Sequence, residues 1–131
     1  TPQKVALIDA RKAIGMFNLD QIDVPVLGMV ENMAYFTPEE LPDNKYYIFG
    51  EGGLKDLAEQ SNLPFLGEIP LVQSVREAGD AGRPAVLQDT TVQAEAFKAF
   101  ADNVITQVNL RNLEKDPTQK VEITHMDGCS T

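Results

Sequence analysis

The sequence has no tryptophan, one cysteine and one histidine. The lone thiol, Cys129, rules out a disulfide framework or a C-x-x-C pair within the chain. His125 and Cys129 have three residues between them, a separation that metal ligands use. Two ligands leave a site incomplete unless a second copy shares it, so a strand-end histidine and a tail cysteine are the plainer reading. Long apolar runs are also lacking: nothing approaches the roughly 20 residues that span a bilayer, and no membrane partner is expected. Positive charge is scarce, with 11 Lys and Arg against 20 Asp and Glu and a net charge of −9. The acidic residues are scattered rather than blocked, so most of the surface should repel nucleic-acid backbones and anionic membranes. No nucleic-acid partner is expected. Also missing are GxxxxGK[ST], HExxH and a Ser-His-Asp order, so phosphate-loop, zinc-hydrolase and serine-nucleophile mechanisms have no support within the chain. Thr1 opens without an initiator Met or a charged-then-apolar leader, from which we expect a cytoplasmic location and an excised piece of a longer protein.

What is present is a globular composition, 43% hydrophobic over 131 residues, enough for one domain with one core. Thr1-Pro2 reads as a capping residue followed by a first-turn proline, so a helix is predicted almost from the start. Val5, Ile8, Ala13, Ile14 and Phe17 approximate its period, and Asn18 and Asp20 break it. Val24-Pro25-Val26-Leu27-Gly28-Met29-Val30 is continuously apolar and β-branched, which predicts a strand buried on both faces with Pro25 near its first residue. Residues 31–53 turn irregular, with Pro38, Pro42, Asn44 and the Gly50, Gly52, Gly53 cluster. They read as a long loop with room for a short hairpin, of the kind that binds a ligand or contacts a partner. Leu54, Leu57, Ala58 and Leu63 then predict a helix of about ten residues ending near Asn62.

Pro64-Phe65-Leu66-Gly67-Glu68-Ile69-Pro70 reads as a second buried strand. Both strands carry an apolar-Pro-apolar-Leu-Gly frame, a faint echo of repeated βα units. A loop or short helix over 71–77 precedes Gly79, Gly82 and Pro84. Thr90 or Thr91 caps a long helix running to about Leu113, with Phe97, Phe100, Ala101, Val104, Ile105 and Val108 as its core stripe. Asp116-Pro117 ends it, residues 121–125 alternate as a final strand would, and 126–131 read as a loose tail. The alternation predicts an α/β fold with a mainly parallel sheet. Against the roughly five strands of an ordinary sheet the chain supplies about half. An open sheet edge invites pairing, so the isolated chain is expected to self-associate or to be marginally stable.

Ligands of open α/β folds lie beyond the carboxyl ends of the strands, which directs attention to Glu31-Asn32 and Pro70-Leu71. An Asn leaving a strand offers a donor and an acceptor together and can read a base edge; it can equally form a turn. Gly50-Glu51-Gly52-Gly53 resembles a phosphate cradle at a helix start, but Lys55 falls inside the following helix and a flexible turn fits as well. Arg76 and Glu77 could reach a ligand from the loop after Pro70 or could form a solvated helix face.

Taken together, several strings carry a family resemblance. They are Thr1-Pro2-Gln3 with Asp9-Ala10-Arg11-Lys12, Val24 through Met33, Ile48-Phe49-Gly50-Glu51-Gly52-Gly53, Pro64 through Leu71, and Arg76-Glu77-Ala78-Gly79-Asp80 with Gly82 and Pro84. In order and spacing they resemble the Mrp/ApbC family of P-loop ATPases, related to MinD and the nitrogenase iron protein, over residues 1–108. The resemblance implies a partial doubly wound, mainly parallel sheet, the C-terminal part of a MinD-like P-loop NTPase fold over residues 1–113, with a terminal strand and tail over 114–131. It implies a homodimeric iron–sulfur cluster carrier that delivers clusters to client or scaffold proteins and uses ATP and Mg in the intact parent. The phosphate-binding loop and catalytic acidic residues would lie outside this chain, which would be inactive alone. Asn32 looks like the family's base-contacting Asn, and Pro70-Leu71 matches the loop walling the other side of the base.

Two departures stand out. Between Phe36 and Tyr46 the family commonly has Cys-Pro-x-Cys holding a bridging cluster, where this chain reads Thr37-Pro38-Glu39-Glu40-Leu41. Carboxylates are poor substitutes for thiolates, so cluster binding through this loop is not expected. The family also often has Asp where Val72 stands. The rival readings are a non-enzymatic scaffold in cluster assembly and a MinD-like positioning ATPase fragment. The latter lacks the basic amphipathic C-terminal helix that membrane targeting would require.

Overall fold

The computed structural model describes residues 1–116 apart from Glu39, Pro42 and Asp89. Its elements run in the order α1 (Lys4–Phe17), β1 (Met29–Asn32), α2 (Gly53–Gln60), β2 (Phe65–Ile69), α3 (Gln73–Asp80), a 3₁₀ turn (Ala85–Leu87) and α4 (Val92–Glu114). β1 and β2 pair in parallel as a two-stranded sheet, with α2 in the connection between them. This is the helix-crossover arrangement that parallel strands require. The final strand and tail expected from 121 onward lie outside the described residues.

The core forms where α1 and α2 cover the sheet. Met29, Leu54, Leu57 and Ala58 are buried together, with Leu7, Ala10, Ile14, Leu63 and Phe65 packed around them. α2 stops because Asn62 takes a left-handed conformation, φ 52°. Leu63 N then donates to Ala58 O at 2.9 Å and Asn62 N to Glu59 O at 3.1 Å, the paired closure that satisfies the last carbonyls of a helix. Gly82, at φ 67°, ends α3 the same way, with Arg83 N donating to Ala78 O at 2.7 Å. α4 starts at Thr91, whose hydroxyl accepts from Ala94 N at 3.3 Å, deciding between the two threonines the sequence offers.

The register of the sheet slips between Met29 and Val30: Met29 lies opposite Phe65 and Val30 opposite Gly67. Leu66 is the residue left over, which accounts for buried Leu66 and Ile69 being three apart rather than alternating. The Leu66 carbonyl accepts from Asn103 Nδ2 of α4 at 3.0 Å, so the long helix is pinned at the irregularity.

Three expectations are corrected. The first strand is shorter than the apolar run: residues 24–28 are not strand, and Val24 is 42% exposed. Among the described residues β1 pairs on one side only, with β2, and Pro25 has no N–H to give a ladder. The first helix begins at Lys4 with Gln3 at its cap; Thr1 and Pro2 precede it, and Pro2 is buried. The stripe on α4 is only partly covered: Phe97, Phe100 and Val104 are half-buried, Ile105 is 58% exposed, and the residues this helix buries fully are Gln93 and Ala94. Its period is helical but the sheet it faces is two strands wide, too narrow to cover it.

Apolar surface on α1 is likewise left uncovered. Val5 is 67% exposed, and α1 together with residues 24–30 lines an apolar groove of about 430 Å³.

Glycine substitutions separate space from conformation. A Cβ on Gly28 would stand 2.7 Å from both Leu66 Cγ and the Pro64 carbonyl oxygen, and one on Gly53 2.7 Å from the Pro2 carbonyl oxygen. Gly28→Ala and Gly53→Ala should each destabilise by about 1–3 kcal/mol in urea denaturation. Gly79→Ala, where nothing lies within 4 Å, should instead stabilise by about 0.5–1 kcal/mol.

Candidate functional site

Asn32 is the last residue of β1 and lies opposite Ile69, the last of β2. Beyond them the two chains stay joined: Ala34 N donates to Ile69 O at 3.0 Å and Leu71 N to Tyr35 O at 2.7 Å. This continued pairing brings Asn32 and Pro70-Leu71 to one edge of the sheet, the carboxyl edge. Pro70 is buried, Leu71 half-buried and Asn32 exposed. The Asn32 side chain both makes a turn and keeps a polar group to spare. Its Oδ1 accepts from Met33 N at 2.9 Å, supporting the left-handed φ of 56° at Met33, and its amide NH₂ has no partner among the described residues.

A cleft of about 690 Å³ opens at this edge. Pro70, Leu71 and Val72 line it, with Tyr35, Phe36 and Pro38 on one side and Gln73, Ser74, Glu77 and Gln93 on the other; Asn32 is not among its lining residues. Of the sequence candidates the cleft therefore joins Pro70, Leu71 and Glu77. Arg76 turns to solvent, its guanidinium donating to Asp80 Oδ2 at 2.8 Å and Glu77 Oε1 at 3.3 Å on an exposed helix face. Gly50, Gly52 and Gly53 lie at the start of α2, with Gly52 left-handed at φ 66°, and Lys55 is exposed within the helix.

The sequence pattern offers Thr91 only as a helix cap and does not single out Ser74, Gln88 or Gln93, yet the four form a hydrogen-bonded polar wall, of which Ser74, Thr91 and Gln93 line the cleft. Gln93, 6% exposed, donates from Nε2 to Ser74 Oγ at 2.9 Å and to Gln88 Oε1 at 2.7 Å. Gln88 Nε2 donates to Ser74 O at 3.3 Å, and Thr91 Oγ1 to Gln88 O at 2.7 Å. The wall ties α3 to the start of α4 and so holds the loop of Pro70 in place.

Tyr35 anchors the other side. Its ring carries Lys45 Nζ at 4.0 Å from the centroid and meets Tyr47 edge-on at 6.5 Å. Phe36 and Tyr46 exchange two main-chain hydrogen bonds, the short hairpin the loop has room for. Burial, and then the negative charge of Glu68, raise the Tyr35 phenol above its ordinary value of 10.0. Among the described residues no group of three or more His, Cys, Asp or Glu could hold a metal ion.

Two measurements test this geometry. Because folding favours the protonated phenol, the stability it contributes is present below pH 10 and is lost as pH rises through the raised value. Tyr35→Phe should remove a late step in the 295 nm absorbance titration and flatten that alkaline loss. α3 starts at Val72 with no side-chain cap, which is the hydrogen bond that an Asp there would supply. Val72→Asp should stabilise the chain by about 1 kcal/mol in thermal denaturation.

Comparison with known proteins follows the same lines. The family described as ParA, the NUBPL iron-transfer P-loop NTPases, matches residues 1–105. An iron–sulfur cluster carrier protein of Deinococcus radiodurans is 49% identical over 122 residues, 91% of this chain and 33% of that protein. One from Synechocystis is 44% identical over 114 residues, 86% of this chain and 32% of that protein. Among solved structures, a nucleotide-binding protein from Archaeoglobus fulgidus in complex with ADP is 38% identical, with a TM-score of 0.53 over 63% of this chain and 33% of that one. The chain thus spans about a third of the length of the relatives it matches, and its α/β fold is a partial P-loop NTPase fold. It belongs to the NUBPL iron-transfer P-loop NTPase family.

Proposed function

We propose that this chain is the base-contacting and dimer-forming part of an ATP-dependent iron–sulfur cluster carrier, and that it does not hydrolyse ATP alone. The observation that carries the reading is the convergence of Asn32 and Pro70-Leu71 at the carboxyl edge of a parallel sheet, beside a cleft of about 690 Å³. That is where open α/β folds take their ligands. The side-chain NH₂ of Asn32 would donate to a ring nitrogen, and its Oδ1, by giving up the Met33 turn, would accept from an adenine amino group, while Pro70 and Leu71 supply an apolar wall. The phosphates have no anchor in this chain, since GxxxxGK[ST] does not occur in it. Mg·ATP would be held between this part and the remainder of the longer protein. The same reading makes the intact protein a cytoplasmic homodimer and a hydrolase, with iron–sulfur scaffold or client proteins as partners.

The cluster is cargo here, and its ligands are not supplied by the loop between Phe36 and Tyr46. That loop offers Thr37, Glu39 and Glu40 in place of paired thiolates, and hard oxygen donors suit iron–sulfur clusters poorly. The loop instead serves as a contact surface for the second subunit or a client.

The test is nucleotide binding by calorimetry and phosphate release by coupled assay. The chain alone should release no phosphate above a buffer control; measurable hydrolysis would overturn the division of labour. In the full-length protein Asn32→Ala should weaken ATP binding by roughly tenfold, the loss of one or two base hydrogen bonds. Unchanged affinity would remove Asn32 from the site, and a full-length protein that retains a partner without binding nucleotide would be a scaffold instead.

A further inference from the structure

We infer that Glu31 is a positioning residue: its buried carboxylate latches the start of α2 to the end of β1 and so sets where the 33–52 loop stands relative to Asn32. The latch itself is read from the structure; its consequence for partners rests on the proposed function above.

Glu31 is 1% exposed and is the largest fully buried side chain among the described residues. A carboxylate in such surroundings is costly unless it is hydrogen-bonded and its charge is met. The residue opposite it on β2 is Glu68, which offers no counter-charge. The compensation comes from α2: Leu54 N donates to Glu31 Oε2 at 2.8 Å. Leu54 is the second residue of that helix, where the unpaired N–H groups carry the positive end of the helix dipole. The helix has no cap of its own, because Gly52 has no side chain to give one. Glu31 therefore supplies, from 23 residues away, the cap that is ordinarily local.

Position makes this more than a cap. The loop begins after Asn32, stays paired with the segment after β2 as far as Tyr35, and re-enters regular structure at Gly53. Glu31 holds both of its ends, the first through its own backbone in β1 and the second through its carboxylate. Strand alternation sends Glu31 toward α2 while its neighbour Asn32 is exposed. Adjacent residues thus carry the base contact and the loop anchor. The aromatic surface that the loop presents, Phe36, Tyr46, Tyr47 and Ile48, is exposed, and its placement against the nucleotide edge depends on where α2 begins. An apolar side chain could fill the same volume without burying a charge, but it could not fix the helix at one atom.

The experiment uses the full-length protein with Glu31→Gln, which keeps an acceptor oxygen for Leu54 N–H, and Glu31→Ala, which does not. Amide exchange at Leu54, measured without ligand, should accelerate by roughly tenfold or more in the alanine variant and by less in the glutamine variant. Proteolytic cleavage within 33–52 should rise in the same order. ATP affinity should stay within about threefold of the parent while partner binding falls by roughly tenfold, a split that a general loss of packing would not produce. Unchanged Leu54 exchange in both variants would overturn the latch. A parallel fall of nucleotide affinity, partner binding and melting temperature would overturn the positioning role and leave a packing residue. If the alanine variant does not fold, the glutamine variant decides. A parent protein that binds neither ATP nor partner would defeat the proposed function without touching the Leu54 result.

Discussion

Main-chain pairing between Met29–Asn32 and Phe65–Ile69 does more than join two strands. Because the strands are parallel, their carboxyl ends coincide, and every group of chemical interest leaves from that shared end. The pairing continues past the strands through Ala34, Tyr35 and Leu71, which prevents the two loops from parting. Shift β2 by one residue and Pro70 would no longer stand beside Asn32, the Leu66 carbonyl would lose Asn103, and the buried face of β2 would turn over. Helices α1 and α2 pack on the ladder, and α4 is tied to it, but none of them defines it.

Polar groups, more than apolar ones, set the fine positions. The apolar cluster under α1 and α2 is small, four buried residues with a fringe. Glu31 on α2, Asn103 on the Leu66 carbonyl and Gln93 between Ser74 and Gln88 each fix one helix at one atom. Directional bonds in partly dry surroundings are worth more as restraints than as stability, since leaving any one unmade exposes a buried donor or acceptor. The carboxyl edge is consequently a place where loops are held and helices are indexed.

Much of this was legible in the residues. The 3.6-residue spacing located α2 and α4, Asn62 marked where α2 stops, and the apolar runs located β1 and β2, whereas the loop or short helix read over 71–77 is a helix over Gln73–Asp80 that continues through Gly79. Asn32 and Pro70-Leu71 could be singled out because topology dictates where strands of an open sheet end. What could not be read was context. Residues 24–28 have the composition of a strand, but composition cannot supply the neighbour that a strand needs on both edges, and Val24 faces water. Ile105 and Val108 repeat like a core stripe, but a stripe is buried only where a sheet is wide enough to meet it. The Gln93 wall was illegible for the opposite reason: its partners lie 14 and 19 residues apart through bonds that no period encodes.

Helix α4 is the longest element among the described residues. Its 23 residues make a rod of about 34 Å, held at one end by the Thr91 cap and partway along by Asn103. Leu110 and Leu113 toward the far end are 46% and 85% exposed. Through Asn103 the helix is tied to the Leu66 carbonyl of β2, the strand that ends at the cleft, so the long helix and the Pro70 loop share one anchor.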